Sequence, residues 1–98
     1  MTNIEWLQNW YESMCDHDWE HQGGLKIDTL DNPGWSLKIP LSGFSIDESR
    51  LPAERKGDVD WFFCRVREGC FEAYGGPKNL NDLIGVFRDA QPQKTNTN

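Results

Sequence analysis

The sequence predicts an α+β domain in which an N-terminal and a C-terminal helix pack on an antiparallel sheet of about four strands. Three observations lead to this prediction: a capped helical stripe at the start, two successive hairpin-like stretches in the middle, and a second helical stripe before the end. With 98 residues the chain has room for one core. We expect residues 1–91 to form one domain and residues 92–98 to be a disordered tail.

The first helix is predicted over residues 3–15. Thr2 and Glu5 match a capping box, in which the two side chains satisfy backbone N–H groups at the start of the helix. Apolar residues then recur at helical spacing, at Ile4, Leu7, Tyr11 and Met14, and the stripe is widened by Trp6 and Trp10. Because this aromatic face needs a broad partner, we expect the helix to dock on the first hairpin.

The first hairpin is predicted in residues 19–41. Residues 31–34 combine Asp, Asn, Pro and Gly, each of which favours a turn for its own reason. The second arm alternates without a break, with Trp35, Leu37, Ile39 and Leu41 on one face. In the first arm Leu30 falls out of phase, which indicates a strand bulge or an early strand end.

A second hairpin and a helix follow. Residues 59–66 and 70–74 are rich in β-branched and aromatic side chains, and residues 67–69 can form the turn between them. Asn79 or Asn81 can cap a helix whose apolar face holds Leu80, Leu83, Ile84 and Phe87. The polar residues 47–57 are expected to form a mobile loop.

Charge and cysteine content limit the function. The net charge of -6 disfavours binding to nucleic acid or to anionic membranes and favours a basic protein partner. No apolar run is long enough to cross a bilayer, and no basic-then-apolar leader precedes the first helix, so we expect a cytoplasmic protein. Cys15, Cys64 and Cys70 have no CxxC spacing and are interpreted as thiols, although Cys64 and Cys70 could face each other across the second hairpin.

One motif points to metal chemistry. His17, Glu20 and His21 fit the HxxEH pattern, in which a helix brings two imidazoles to a zinc ion and the Glu activates water. Asp16 and the following glycine pair place this segment at a helix end, where the two rings would not share a face. A zinc hydrolase or small metal-binding protein is therefore kept as an alternative, with no cofactor expected in the preferred interpretation.

The carboxylates favour a binding surface over a reaction. If the outer face of the first hairpin is open, they could form one patch for a basic partner beside an aromatic anchor. The candidate contact residues are Asp16, Asp18, Glu20, Asp28, Asp31 and Trp35. Alternation favours the inward orientation for Trp35 itself. A second alternative is a small-ligand module whose five Trp side chains line a pocket, although core packing explains the same residues.

The chain resembles the immunity protein 53 family of bacterial polymorphic-toxin systems. The resemblance extends from Trp6 to about Phe87 and is carried by residues 6–11, 15–16, 18–22, 26–35, 63–66 and 75–77. It implies a small, non-enzymatic, cytoplasmic antidote for competition between bacterial cells in contact. Such an antidote binds and blocks a cognate toxin domain, here expected to be a basic nuclease. The expected state is a monomer or weak homodimer that binds neither nucleic acid nor membrane.

Overall fold

The computed structural model describes residues 1–92, apart from the side chain of Gln22. It contains two helices and a four-stranded antiparallel sheet, which confirms the predicted α+β fold. The elements in chain order are α1 (Asn3–Met14), β1 (Lys26–Leu30), β2 (Gly34–Pro40), β3 (Phe62–Arg67), β4 (Cys70–Gly75) and α2 (Leu80–Asp89). Short 3-10 helices lie at Trp19–Gln22 and Glu48–Arg50. Of the predicted disordered tail, residues 92–98, all but Pro92 lie outside the described part of the chain.

Helix α1 begins where the capping box predicts. The Glu5 N–H donates to Thr2 Oγ1 at 3.1 Å, and the Thr2 N–H donates to Glu5 Oε1 at 2.9 Å. Two N–H groups that the first turn leaves without a helical partner are thereby satisfied. The helix ends at Met14, with Cys15 as its C-cap, one residue earlier than predicted.

The first hairpin has an unbroken ladder. Strands β1 and β2 pair from Lys26 opposite Lys38 to Leu30 opposite Gly34, around a turn at residues 31–33. The expectation of a bulge or early strand end at Leu30 is therefore wrong. Leu30 is out of phase because its side chain lies on the same face as that of Lys26, away from the helices.

The second hairpin joins the first through the middle of the sheet. The strand order is β1-β2-β4-β3, so β1 and β3 are edge strands. Glu68 and Gly69 both have positive φ, of 52° and 75°, as the tight turn between β3 and β4 requires. In the register Cys64 lies opposite Ala73 and Cys70 lies opposite Arg67, which puts the two thiols on opposite faces of the sheet. A Cys64–Cys70 bridge is therefore excluded in this fold.

The core lies between one face of the sheet and α2. Its fully buried side chains come from the two central strands and from α2: Leu37, Ile39, Phe71, Ala73, Leu83, Ile84 and Phe87. Helix α1 packs against α2, with the rings of Trp6 and Trp10 on Phe87. The expectation that α1 docks on the first hairpin is wrong in this respect, because α2 covers the central strands and offers the aromatic partner for the two indoles.

The segment between β2 and β3 is anchored at both ends. Phe44 contacts Trp10 and Phe87, and the Asp47 N–H donates to the Ala90 carbonyl at 2.7 Å. Arg55 and Phe62 exchange two backbone hydrogen bonds. Part of the predicted mobile loop is therefore held by backbone pairing. Among residues 1–92, no helix has both the length and the apolar character to cross a bilayer.

Candidate functional site

Three of the predicted contact residues lie in the acidic connection, which we define as residues 15–25, between α1 and β1. Asp16 turns the chain at the end of α1, because its Oδ1 accepts from the N–H groups of Asp18 at 3.0 Å and Trp19 at 2.9 Å. These backbone donors lower the pKa of Asp16. The turn places the Trp19 ring in the core, edge-on to Trp10. Asp16 thus has a structural role in the connection.

The carboxylate of Glu20 stabilises the same turn. Glu20 accepts from the N–H groups of Asp16 at 3.0 Å and His17 at 2.9 Å. Its pKa is lowered by its own backbone N–H and by those two donors. Asp18, in contrast, is exposed and its carboxylate has no hydrogen-bond partner among residues 1–92. Of the three carboxylates, Asp18 is the one whose charge is directed only to solvent.

The remaining predicted residues lie elsewhere on the first hairpin. Asp28 is exposed on the face of β1 that points away from the helices, and Asp31 is exposed in the turn. Strand β1 has five residues, so Asp31 lies roughly 17 Å from the start of the strand at about 3.3 Å per residue. Asp31 therefore lies at the turn end of β1, and the acidic connection lies at the opposite end of the strand.

Trp35 is packed. Its indole Nε1 donates to the carbonyl of Pro77 at 2.9 Å, and its half-buried ring lies on the core side of β2. This contact joins the first hairpin to the turn before α2. The inward orientation that the alternation favours is confirmed.

The HxxEH segment does not form a metal-binding helix. His17 has a φ of 75°, in the left-handed region, and only the 3-10 helix Trp19–Gln22 follows it. Both carboxylate oxygens of Glu20 accept from backbone N–H groups. Within the described residues no three His, Cys, Asp or Glu side chains are grouped as a metal would require. The geometry therefore gives the metal-binding alternative no support.

Sequence reasoning missed a charged row on the outer face, which we define as the face of the sheet that points away from the helices. Lys26, Lys38, Glu72 and Arg65 lie side by side across β1, β2, β4 and β3. Glu72 is the centre of the row, because it accepts from Arg65 Nε at 2.7 Å and has Lys38 Nζ at 3.9 Å. The hydrogen bond from Arg65 lowers the pKa of Glu72.

Aromatic side chains continue this outer face beside the row. The rings of Phe63 and Tyr74 stack with centroids 6.4 Å apart, and the Arg65 guanidinium lies 5.3 Å from the Phe63 centroid. Arg and aromatic side chains in such contact are typical of protein interfaces. The alternation of residues within each hairpin predicts which side chains share this face. The charged row across all four strands can be predicted only when β2 is known to neighbour β4.

The chain therefore presents two charged surfaces. Residues 1–25 contain five carboxylates and no Lys or Arg, whereas the outer face carries charges of both signs: Lys26, Lys38, Arg65, Arg67, Asp28 and Glu72. Both surfaces are suited to binding by charge.

Cys64 is a poor nucleophile, because burial raises its pKa to about 11.

Comparison with known proteins identifies the family. No curated protein and no solved structure matches the chain. The family model of immunity protein 53 matches residues 4–91, from the first turn of α1 to just beyond the end of α2. Since this match includes both helices and the whole sheet, the chain belongs to the immunity protein 53 family.

Proposed function

We propose that this chain is an antidote that binds a cognate toxin domain of a bacterial polymorphic-toxin system and neutralises it. The observation that carries the proposal is the family match over residues 4–91, since an immunity protein implies a toxin partner. The chain acts in the cytoplasm, as a monomer or weak homodimer, and needs no cofactor. Its action is steric and electrostatic, without chemistry on the toxin.

The distribution of charge supports an acidic docking surface. The five carboxylates of residues 1–25 lie on α1 and in the acidic connection, a stretch without Lys or Arg: Glu5, Glu12, Asp16, Asp18 and Glu20. A toxin that degrades nucleic acid needs a basic surface for the phosphate backbone. An acidic inhibitor is steered toward such a surface and can cover the substrate groove. A basic nuclease is therefore the toxin class that we propose.

The geometry refines the roles within the proposed contact set. Asp18, Asp28 and Asp31 are exposed, and we assign them the direct attraction of the partner. Asp16 and Glu20 hold the acidic connection in shape, and Trp35 is fixed by Pro77. We therefore assign these three residues a structural role in the surface and no direct contact with the toxin.

Growth protection tests the proposal. The tagged chain is used to capture its partner from native cells, and the captured protein is then expressed in a bacterial host, alone and together with the chain. We expect the partner alone to arrest growth and co-expression to restore it, with a stoichiometric complex on gel filtration. Metal content is measured in the same sample. Zinc at one equivalent with no protein partner, or growth arrest that co-expression does not relieve, would overturn the proposal.

A further inference from the structure

A groove lies between α1 and the edge strand of the sheet. Because α1 packs on α2, the helix leaves the β1 side of the sheet partly uncovered. The opening has a volume of about 300 Å³ and is lined by Leu7, Gln8 and Tyr11 of α1 and by Leu25 just before β1. We call it the α1–β1 groove. Three of its four lining side chains are apolar or aromatic.

Apolar surface extends from the groove along both walls. Ile4 is 47% exposed and Tyr11 40% exposed, and together with Leu7 they are spaced i, i+3 and i+7, which forms one stripe of α1. On the strand, Ile27 lies two residues after Leu25, on the same face, and is 37% exposed. Large apolar side chains left exposed in one area are typical of a binding site.

The charges around the groove have one sign. Glu5, Gln8 and Glu12 form the neighbouring ridge of α1, again at i, i+3 and i+7. The first Lys or Arg of the chain is Lys26, and its side chain lies on the outer face of the sheet. The rim of the groove is therefore acidic.

We propose that the α1–β1 groove receives a short segment of the cognate toxin, whose apolar side chains enter the groove and whose Lys or Arg side chain pairs with Glu12. This inference rests on the proposed function and specifies its contact. An apolar anchor inside a charged rim is the arrangement that concentrates binding energy in interfaces. A second copy of this chain would bring the same acidic rim to the groove, so like charges oppose that occupant.

The test compares two substitutions of the same kind at opposite edges of the sheet. Ile27→Lys places a cation at the groove, and Val59→Lys places one just before β3, where Val59 is 59% exposed. Glu12→Lys is paired in the same way with Glu54→Lys, since both glutamates are exposed and without an ion pair among residues 1–92. Affinity and dissociation rate for the purified toxin are measured by surface plasmon resonance. Thermal unfolding confirms that each variant is folded.

We expect Ile27→Lys and Glu12→Lys each to weaken toxin binding at least tenfold, with Ile27→Lys acting mainly through faster dissociation, while Val59→Lys and Glu54→Lys change affinity less than twofold. If Ile27→Lys and Glu12→Lys each reduce toxin affinity by less than twofold while the wild-type chain binds the toxin, the groove is not the toxin site, and the proposed function still stands. A wild-type chain that binds no toxin would overturn both. Self-association that Ile27→Lys abolishes without any change in toxin affinity would assign the groove to a second copy and contradict the proposal.

Discussion

The ring of Phe87 in α2 meets the ring of Trp10 in α1 edge-on, with centroids 4.9 Å apart and an interplanar angle of 85°. Phe87 also contacts Trp6, Phe44 and Phe71. One side chain therefore joins α1, the segment after β2 and the sheet. The position of α1, and with it the α1–β1 groove, depends on this aromatic cluster.

We expect Phe87→Ala to reduce the free energy of unfolding by about 3–5 kcal/mol, because it removes a fully buried ring and leaves a cavity that the neighbours cannot fill. Phe87→Leu keeps most of the volume and should cost markedly less. Urea unfolding followed by Trp fluorescence measures both. Equal costs for the two variants would contradict the aromatic packing described above.

The amide of Asn79 connects the segment before β3 to the start of α2. Its Nδ2 donates to Asp60 Oδ1 and to Asp82 Oδ2, each at 2.8 Å, and its Oδ1 accepts from the Trp61 N–H at 3.3 Å. Asn79 is 3% exposed, so Asn79→Ala removes three hydrogen bonds and leaves the Trp61 N–H without its side-chain acceptor, at a cost of about 2 kcal/mol. Asn81→Ala, at an exposed site two residues further along the chain, is the matched control and should be close to neutral. Similar denaturation midpoints for the two variants would refute this role for Asn79.

The Arg65–Glu72 pair makes stability depend on pH. The hydrogen bond from Arg65 lowers the pKa of Glu72 in the folded protein relative to the unfolded chain. The stabilisation is therefore fully present above the unfolded pKa of about 4.3, and it is lost as the pH falls through the lower folded pKa.

We expect Glu72→Gln to lower the melting temperature by a few degrees at pH 7, and the difference from wild type to shrink below about pH 4. Glu54→Gln, at an exposed glutamate without an ion pair among residues 1–92, should leave the melting temperature unchanged at both pH values. Differential scanning calorimetry across this range measures the effect. A difference that stays constant from pH 7 to pH 3 would show that the charge of Glu72 contributes nothing.

The three thiols should differ in reactivity. Cys15 is exposed, whereas burial raises the pKa of Cys64 to about 11, so Cys64 has very little thiolate near pH 8. We expect iodoacetamide to modify Cys15 first and Cys64 at least tenfold more slowly, as measured by peptide mapping, and all three thiols to react in guanidinium. Since Cys64 and Cys70 lie on opposite faces of the sheet, mild oxidation should not join them. An intramolecular Cys64–Cys70 disulfide in the folded chain would contradict the register.

Local signals explain how much of the fold was predictable. The capping box of Thr2 and Glu5 determines where α1 begins, and the turn residues Glu68 and Gly69 adopt the positive φ values that join β3 to β4. Each of these signals lies within a few residues of the chain. The helices, the two hairpins and most of their bounds followed from such signals.

Contacts between distant segments were not predictable in the same way. The alternation of β2 is unchanged whether its other neighbour is β3 or β4, so the charged row through Glu72 could not be derived. Asn79 or Asn81 was expected to cap α2; Asn79 occupies the N-cap position, but its side chain makes no capping hydrogen bond and instead bridges Asp60 and Asp82. For the contact residues, sequence identified exposed Asp18 and Asp28, but did not reveal that Asp16 and Glu20 bind backbone N–H groups.

The most direct test of the acidic docking surface is the affinity of the Asp18→Lys, Asp28→Lys double variant for the purified toxin. Both side chains are exposed and bear no structural hydrogen bond among residues 1–92, so the fold should be preserved. The control is Glu48→Lys, Glu54→Lys, which changes the net charge equally in the segment between β2 and β3. We predict at least tenfold weaker binding for the first pair only, mainly through slower association, with a smaller effect in high salt. Unchanged toxin affinity, or an equal loss of affinity in both double variants, would contradict the acidic docking surface.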